Sequence, residues 1–345
     1  TNHPEVKAAA IAAVEKYGTG CAGSRFLNGT LDTHIALEKA LAEFAGKEDA
    51  IIFSTGFQVN LGTISCLLGR EDYIIWDSLN HASIIEGIRL SPAKSLRFKH
   101  NDMAALERRL QQCDPERIKL IVVDGVFSME GDLCNLPEIC RLAEQYKASV
   151  MVDEAHGFGV MGDHGRGVCN YFGLTDKVDL IMGTFSKSFA AIGGFIAGSK
   201  TTINYIRHHA RSYIFSASCT PAATAAVGKS LEIMLREPER VEALQEKTRY
   251  CLEKFRKLGF EIGHTSTPII PLFVRDNEKT FRVTAELFHE GVFVNPVVAP
   301  AVAPEDTLIR FSLMATHTYE QLDTAIEKIT AVFRRLDIPL HPQQD

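Results

Sequence analysis

The sequence predicts an α/β protein, with a large domain built on a mostly parallel sheet with helices on both faces and a smaller α+β C-terminal domain. Strand and helix patterns alternate from residue 50 to 197, as they do in proteins with parallel sheets. The run from Lys119 to Asp124 is continuously apolar in its middle, which is typical of a parallel strand covered on both faces. Past Gly259, strand-like pieces mix with helices. We predict a large domain over residues 1–220 and linker helices with the small domain over 221–345.

The N-terminal elements follow from periodicity and from turn residues. Pro4 begins a predicted helix that ends at Tyr17, and a second amphipathic helix covers residues 32–45. A strand at 50–53 leads through the small-residue turn 54–57 into a helical stretch. In a strand–turn–helix unit, free backbone N–H groups and the positive end of the helix dipole face an anion. The turn at 54–57 is therefore a candidate phosphate site.

The remaining elements continue the alternation. Predicted strands lie at 73–77, 96–98, 119–124, 149–152, 179–183 and 194–197. Predicted helices lie at 80–89, 103–112, 136–146 and 203–212, and two long helices fill 222–258. In the C-terminal domain, strands at 268–274, 292–295 and 308–312 mix with helices at 279–289 and 319–336.

Chemically reactive residues follow two of the apolar strands. Asp153 and His156 come directly after one strand, and Lys187 follows the next, close to Thr184 and Ser186. Ligands of open parallel sheets bind at the carboxyl ends of the strands. An acid, an imidazole and a lysine at that edge suit pyridoxal 5′-phosphate (PLP), because the lysine forms the Schiff base and the acid pairs with the pyridinium nitrogen. The alternative for Lys187 is an ordinary surface position.

Other candidate site residues have two interpretations each. The small residues between Gly18 and Arg25 predict either a flexible loop or a backbone that approaches a ligand closely. His81 follows a strand and starts a helix, so it is either a capping or solvent-exposed residue or a functional one. Ser128 follows the 119–124 strand, and we expect it on the ligand side.

Composition and charge exclude several classes of protein. The net charge is -6, whereas a nucleic-acid-binding protein would carry a basic face. The 8 cysteines are scattered without a CxxC pair, which disfavours zinc and predicts free thiols in a reducing cytoplasm. No apolar run has the length of a membrane span, and no signal peptide is evident. We therefore expect a cytoplasmic protein.

Two further motifs lead to weaker hypotheses. Gly228, Lys229 and Ser230 resemble the end of a phosphate-binding loop, but Ala223 stands where that loop needs glycine. Asp153 to His156 also match the acidic box of certain helicases. The acidic net charge of the chain disfavours that interpretation. A metal site of Asp153, His156 and His81 would leave Lys187 unexplained, so we predict no metal.

Several separated motifs occur in the order found in one enzyme family. They are Asn80–Ser83, Asp153 with His156, Thr184–Lys187 and Ile309–Ser312. With them the chain resembles the α-oxoamine synthases, PLP-dependent transferases of fold type I that join an amino acid to an acyl-CoA with loss of the carboxylate. The stretches 20–30, 183–188 and 308–318 resemble the bacterial branch that condenses L-serine with palmitoyl-CoA to 3-ketodihydrosphingosine, the first step of sphingolipid biosynthesis.

The resemblance implies catalytic and ring-binding roles for four residues. Lys187 would form the Schiff base with PLP and move the Cα proton. Asp153 would keep the pyridine nitrogen protonated, and His156 would bond the ring hydroxyl. His81 would stack on the ring face and contact the substrate carboxylate.

The remaining implied roles concern the phosphate, the substrate and a second subunit. Backbone N–H groups of Gly56 and Phe57, together with Thr184, would bind the phosphate. Ser128 and Ser186 would line the cofactor, and Arg310 would pair with the substrate carboxylate near Ser24. Ser216 would reach the phosphate of the neighbouring subunit, so the resemblance implies a homodimer with shared active sites.

One departure and several alternatives accompany this resemblance. One branch of the family has an arginine in the proline-rich loop, and residues 296–302 here contain none. The same fold also serves enzymes that use glycine and acetyl-CoA, and non-catalytic partner subunits, which would be expected to lack the Schiff-base lysine. The lipid product further suggests peripheral membrane contact. The preference among serine, glycine and alanine stays open at this point.

Overall fold

The computed structural model describes residues 1–341, which form two compact units. The first contains Thr1–Val126 and Cys134–Pro238, and the second contains Phe127–Leu133 and the chain from Glu239 onward. The sequence-predicted boundary after residue 220 lies before a helix, Pro221–Arg236, that belongs to the first unit. That helix packs against the first two helices of the chain, which is why the compact unit extends to Pro238.

The first unit is built on a mixed, mostly parallel sheet in the order β1-β7-β6-β5-β4-β2-β3. Its strands are β1 (Asp49–Phe53), β2 (Tyr73–Asp77), β3 (Lys94–Phe98), β4 (Lys119–Asp124), β5 (Ser149–Asp153), β6 (Leu180–Thr184) and β7 (Gly194–Gly198). Strands β2 to β6 pair in parallel, whereas β7 is antiparallel to both β6 and β1. The predicted α/β class and mostly parallel sheet are confirmed.

Helices surround this sheet in the alternation that the sequence predicts. They are α1 (Pro4–Tyr17), α2 (Asp32–Ala45), α3 (Gly56–Leu67), α4 (Ala82–Leu90), α5 (Met103–Gln111), α6 (Leu136–Tyr146), α7 (Gly167–Tyr171), α8 (Lys200–His209), α9 (Arg211–Ile214) and α10 (Pro221–Arg236). The helix predicted over 203–212 is interrupted at Ala210, which has an extended backbone and caps both α8 and α9.

Burial explains why β4 and β5 read as unbroken apolar runs. Every residue of β4 is buried, and Val150, Met151 and Val152 of β5 are fully buried. Both strands lie inside the sheet with parallel neighbours on each side, and strands of this kind are covered on both faces. This interior position places the carboxyl ends of β4, β5 and β6 side by side.

The second unit is a smaller α+β assembly. Its strands β8 (Ile269–Phe273), β9 (Asn295–Val297) and β10 (Leu308–Ser312) form an antiparallel sheet in the order β8-β10-β9. Its helices are α11 (Glu239–Lys257), α12 (Asn277–His289) and α13 (Tyr319–Arg335). The strand predicted at 292–295 is shifted to Asn295–Val297 at the sheet edge. An edge position tolerates Pro296, which has no N–H to donate.

Aromatic packing and two threonine hydroxyls hold the second unit together. The Phe255 ring lies 5.1 Å from Phe260 and 5.3 Å from Phe311, measured between centroids. Thr265 and Thr267 donate hydrogen bonds to the carbonyl of Gly131, at 2.9 and 2.7 Å. These bonds attach the segment Phe127–Leu133 to the second unit. Within residues 1–341, no helix combines the length and apolar character that crossing a membrane requires.

Candidate active site

The predicted acid and lysine lie at neighbouring strand ends. Asp153 is the last residue of β5 and pairs in register with Met182 of β6 and with Asp124 of β4. Strand β6 ends at Thr184, three positions before Lys187. Because β4, β5 and β6 are parallel neighbours, their last residues, Asp124, Asp153 and Thr184, lie at the same edge of the sheet.

A cavity of about 340 Å³ opens at this edge, within the first unit. Small-molecule sites typically have volumes of about 300 to 1,000 Å³. The predicted site residues that line the cavity are Gly56, Phe57, His81, Asp153, His156, Thr184, Ser186 and Lys187. Other lining residues are Thr55, Ser83, Asp124, Ala155, Met182, Ile192 and Gly193. The structure therefore brings together residues that are up to 138 positions apart, as Thr55 and Gly193 are.

One end of the cavity has the features of a phosphate site. Thr55 caps α3 by accepting a hydrogen bond from the Gln58 N–H at 3.2 Å. Gly56 is the first residue of α3, and a Cβ there would lie only 2.4 Å from Thr184 Oγ1. The Thr184 and Ser186 hydroxyls lie 3.1 Å apart. A helix N-terminus with hydroxyl donors beside it binds phosphate groups well, and only glycine permits this close approach.

Asp153 is held on both carboxylate oxygens. It is only 2% exposed. Its Oδ1 accepts the Ala155 N–H at 2.8 Å, and its Oδ2 accepts the side-chain amide of Asn60 at 2.7 Å. These two bonds fix the plane of the carboxylate. The sequence reasoning did not identify Asn60, because a single asparagine in a helical stretch has no pattern that distinguishes it.

His81 caps a helix and also lines the cavity. It is the N-cap of α4, where its Nδ1 accepts the Ser83 N–H at 3.2 Å, and its ring also lines the cavity. The His81 N–H donates to Asp124 Oδ2 at 2.8 Å. Burial lowers the pKa of the imidazole, the Asp153 carboxylate raises it and the Lys187 ammonium lowers it. The neutral imidazole is therefore favoured at neutral pH.

Two further buried carboxyl groups were not among the sequence-predicted site residues. Burial raises the pKa of Asp124 well above its usual range, and the nearby Asp153 raises it further. Burial also raises the pKa of Glu154 to about 7, although the N–H groups of Val168 and Cys169 donate to it at 2.9 and 2.7 Å and oppose the shift. Both carboxyls follow or end an apolar strand, so strand-end position was the available indication.

Ser24 and Ser216 do not line the cavity. Ser24 forms an isolated antiparallel bridge with Ala217, and Ser216 Oγ accepts a hydrogen bond from Gln58 Nε2 at 3.2 Å. Gln58 lies in the first turn of α3. Within one chain, the loop that contains Ser24 and the segment around Ser216 therefore lie together beside that helix.

Ser128 and Arg310 belong to the second unit and contact each other there. The Arg310 Nε donates to the carbonyl of Ser128 at 2.7 Å, and its Nη1 donates to Ser312 Oγ, also at 2.7 Å. Burial lowers the pKa of Arg310, but a guanidinium stays charged at any physiological pH. These bonds fix the direction of the guanidinium plane.

The cavity residues suit PLP. Its phosphate matches the α3 N-terminus with Thr184, its pyridine nitrogen matches the buried carboxylate of Asp153, and its aldehyde carbon matches the amine of Lys187. The close approach of Gly56 to Thr184 leaves backbone N–H groups as the surface that faces an anion. Within residues 1–341, no cluster of three or more His, Cys, Asp or Glu side chains is arranged to hold a metal ion.

Comparison with known proteins identifies the family. The model of the class I and II aminotransferases matches residues 1–329. The chain belongs to this family. The serine palmitoyltransferase of Bacteroides thetaiotaomicron is 63% identical to it over 338 residues, which cover 98% of this chain and 86% of that protein. An 8-amino-7-oxononanoate synthase of Bacillus pumilus is 44% identical over 98% of this chain and 86% of that protein.

A solved structure agrees with this assignment. The structure of S. paucimobilis serine palmitoyltransferase superposes with a TM-score of 0.95 at 37% identity, and the match covers 98% of this chain and 86% of that chain. That protein is a variant in which a lysine is replaced by alanine, and it contains a bound PLP–myriocin aldimine. The predicted family resemblance and the fold-type-I architecture are confirmed. PLP is the cofactor, as the family match and the PLP-containing structure together indicate.

Proposed function

We propose that this chain catalyses the PLP-dependent condensation of L-serine with palmitoyl-CoA. The products are 3-ketodihydrosphingosine, free CoA and CO₂. One carbon–carbon bond forms between the serine Cα and the acyl carbonyl carbon, while the thioester bond and the bond from the serine Cα to its carboxylate carbon break. The observation that carries the proposal is the 63% identity to a serine palmitoyltransferase along nearly the whole chain. The cavity that brings Lys187 and Asp153 together supports the same chemistry.

The chain's own residues divide the proton chemistry among them. PLP, when bound, supplies a ring that withdraws electrons from the Cα of the amino acid. Lys187 provides the amine that holds the cofactor and moves the Cα proton at its Nζ. Asp153 holds the pyridine nitrogen, and its position is fixed by its bonds to Ala155 and Asn60. His156, which lines the same cavity, is proposed to bond the ring hydroxyl.

The phosphate is proposed to bind at the start of α3. The Gly56 and Phe57 N–H groups lie in the unpaired first turn of that helix, and the hydroxyls of Thr184 and Ser186 stand beside them. Backbone donors at a helix N-terminus need no side-chain reorganisation to receive an anion. This end of the cavity therefore anchors the cofactor without using a charged side chain.

Substrate recognition is proposed to depend on Arg310. A guanidinium presents a planar fork that matches a carboxylate, and the bonds of Arg310 to Ser128 and Ser312 hold that fork in one orientation. The further roles of Ser24 at the substrate and Ser128 at the cofactor are proposed from the family resemblance alone.

We propose that the chain acts as a homodimer, with Ser216 reaching the phosphate of the neighbouring subunit. Large apolar side chains are exposed on the first unit near that residue in sequence and along the Ser24 loop: Phe215 is 73% and Leu27 is 82% exposed. Exposed apolar groups of this size commonly mark protein interfaces. Sedimentation velocity of the wild-type chain and of Phe215→Asp measures the association. A wild-type monomer at micromolar concentration contradicts the dimer.

A cytoplasmic location with peripheral membrane contact is proposed for the same enzyme. The 8 cysteines are all free thiols, which suits a reducing compartment. On the second unit, Phe281, Phe288 and Phe293 are exposed, and Phe is among the apolar side chains that peripheral helices bury at the headgroup boundary of a membrane. Co-sedimentation with anionic lipid vesicles tests the contact, and a chain that stays in the supernatant at low salt argues against it.

The decisive experiment for the reaction measures CoA release by the PLP-loaded protein. L-serine, glycine and L-alanine are each combined with acetyl-, octanoyl- and palmitoyl-CoA. The proposal expects turnover with L-serine and palmitoyl-CoA, and a product whose mass is that of 3-ketodihydrosphingosine. Lys187→Ala removes turnover and the visible absorption of the lysine-bound cofactor. Lys177→Ala is the matched control, because Lys177 is exposed and pairs only with Glu144 at 3.1 Å in the described structure.

The 44% identity to 8-amino-7-oxononanoate synthases supports a second candidate within the same family. The same assay distinguishes the two, because it varies the amino acid and the acyl chain independently. A preference for L-alanine, or for glycine with acetyl-CoA, would reject the serine palmitoyltransferase assignment while leaving the PLP assignment unchanged.

A further inference from the structure

Asn60 lies at the centre of a buried hydrogen-bond chain beneath the cavity. Its side chain is fully buried on α3, and its Nδ2 lies 2.7 Å from Asp153 Oδ2 and 2.8 Å from Ser83 Oγ. An amide nitrogen can only donate, so one amide group donates to both residues. The opposite rotamer would place the amide oxygen against a carboxylate oxygen, which fixes the orientation of Asn60.

Ser83 extends the chain to His81. Since the Ser83 hydroxyl oxygen accepts from Asn60, its own hydrogen is available to the His81 Nδ1, which lies 2.7 Å away. The Ser83 backbone N–H also donates to the same nitrogen at 3.2 Å. A ring nitrogen that accepts two hydrogen bonds carries no proton. The His81 proton is therefore on Nε2.

The surroundings of His81 keep this arrangement. The backbone N–H of His81 donates to Asp124 Oδ2, and the ring Nδ1 is hydrogen-bonded to Ser83. Both the backbone and the Nδ1 side of the ring are therefore fixed. The charged groups that act on the ring are Asp153 and Lys187, which shift its pKa in opposite directions, while burial lowers it. A neutral ring with one defined donor, Nε2–H, is the result.

We propose that Asn60 is a positioning residue for the active site, which acts through Ser83 to hold His81 in the neutral Nε2–H tautomer while it orients the Asp153 carboxylate. The pyridine-nitrogen partner and the imidazole are thereby set by one buried amide. The link from Asn60 through Ser83 to the His81 tautomer depends only on these hydrogen bonds. Its consequence for turnover rests on the proposed function.

The chain of donors predicts what each substitution does. Asn60→Ala removes the donor to Asp153 and to Ser83, so the Ser83 hydroxyl is no longer oriented by a partner behind it. Ser83→Ala deletes only the hydroxyl that donates to His81. Both variants are expected to admit the Nδ1–H tautomer. Each lost hydrogen bond is expected to weaken PLP binding or lower kcat by about tenfold.

Thr63 provides the matched control. It lies on the same helix as Asn60, is also fully buried, and its hydroxyl has no partner among residues 1–341. Thr63→Val removes a buried polar atom at nearly constant volume without touching the chain from Asp153 to His81. It is expected to leave the tautomer, PLP affinity and kcat unchanged.

The test is nitrogen–proton NMR of histidine-labelled protein without PLP, with the His81 signals assigned by their loss in His81→Gln. Expected are an Nε2–H signature in wild type and Thr63→Val, and a mixed or Nδ1–H signature in Asn60→Ala and Ser83→Ala. Ser83→Ala keeps the test valid if Asn60→Ala does not fold. A wild-type signature in either variant overturns the proposal, as does unchanged PLP affinity and kcat in both.

This readout separates the proposal from the assignment of the reaction. The tautomer is measured without cofactor or substrate, so a chain that uses another amino acid or acyl group gives the same spectra. Failure of the proposed reaction appears only in the CoA-release assay, whereas failure of the Asn60 proposal appears first in the spectra.

Discussion

Arg25 and Glu38 form a buried ion pair, and we expect its disruption to destabilise the first unit strongly. The Arg25 Nη1 and Nη2 donate to the two Glu38 oxygens at 2.6 and 3.1 Å. The side chains are only 6% and 5% exposed. The Glu38 Oε1 also accepts the Ile52 N–H of β1 at 3.1 Å, and the Arg25 Nε donates to Thr30 Oγ1. The pair thus fastens the loop around Ser24 to α2 and β1.

The expected cost of Arg25→Met follows from what remains behind. The substitution leaves the Glu38 carboxylate buried without its cation, and breaking a buried pair in this way costs about 3 to 5 kcal/mol. Replacing both partners, as in Arg25→Met with Glu38→Leu, removes the unpaired charge. The Ile52 N–H then lacks its acceptor, which costs about 1 to 3 kcal/mol. The double variant should therefore be more stable than Arg25→Met.

Urea unfolding followed by circular dichroism measures these differences as shifts in midpoint. Arg141→Met is the matched control, since Arg141 makes the same kind of bidentate pair with Glu138 but is 53% exposed. Exposed pairs contribute about 0 to 1 kcal/mol. If Arg25→Met costs no more than Arg141→Met, or if the double variant is the less stable of the two, the reasoning from burial is refuted.

Three further predictions concern Glu154, Gly56 and Arg310. For Glu154, the folded pKa of about 7 lies above the unfolded value of 4.5, so its stabilising contribution is complete below pH 4.5 and is lost as the pH rises through 7. At about 1.4 kcal/mol per pKa unit, Glu154→Gln should remove about 3 kcal/mol of the pH dependence of unfolding, measured from urea midpoints. Parallel pH profiles of the wild type and the variant would contradict this. Gly56→Ala forces Thr184 to move and should raise the PLP dissociation constant at least about tenfold in absorbance titrations. The control is Gly228→Ala, which has open space at its Cβ and should stabilise α10 by about 0.5 to 1 kcal/mol without affecting PLP binding. Equal PLP affinity of the two variants would exclude a phosphate site at Gly56. Arg310→Lys loses the planar guanidinium and should raise the KM for L-serine by about tenfold with little change in kcat. The control is Arg334→Lys, at an exposed position, which should change neither constant. An unchanged KM in Arg310→Lys would contradict a role of Arg310 in substrate binding.

The alternation of strands and helices was readable because it depends on local patterns. The apolar runs of β4 and β5, and the small residues before α3, stand out along the chain, since burial on both sheet faces demands unbroken apolar runs. Strand ends were predictable for the same reason. That placed Asp153, His156, Thr184 and Lys187 at one edge before any contact was known.

Some boundaries were less accessible because the competing forces are not local. The helix predicted over 203–212 stops at Ala210, and α10 packs with the first unit rather than starting the second domain. Nothing in the composition of those segments marks these events. In the folded chain, α10 packs against α1 and α2, and α8 and α9 pack against α3.

What the sequence determined by itself was the class of fold, the family and the reactive groups, because motif order and apolar periodicity are properties of the chain. Only the tertiary structure showed that Asn60, Ser83 and His81 join Asp153 in one buried hydrogen-bond chain. These residues come from α3, the start of α4 and the end of β5, and hydrogen bonds form over distances of about 3 Å irrespective of separation along the chain. The orientation of a catalytic group therefore depends on neighbours that folding supplies.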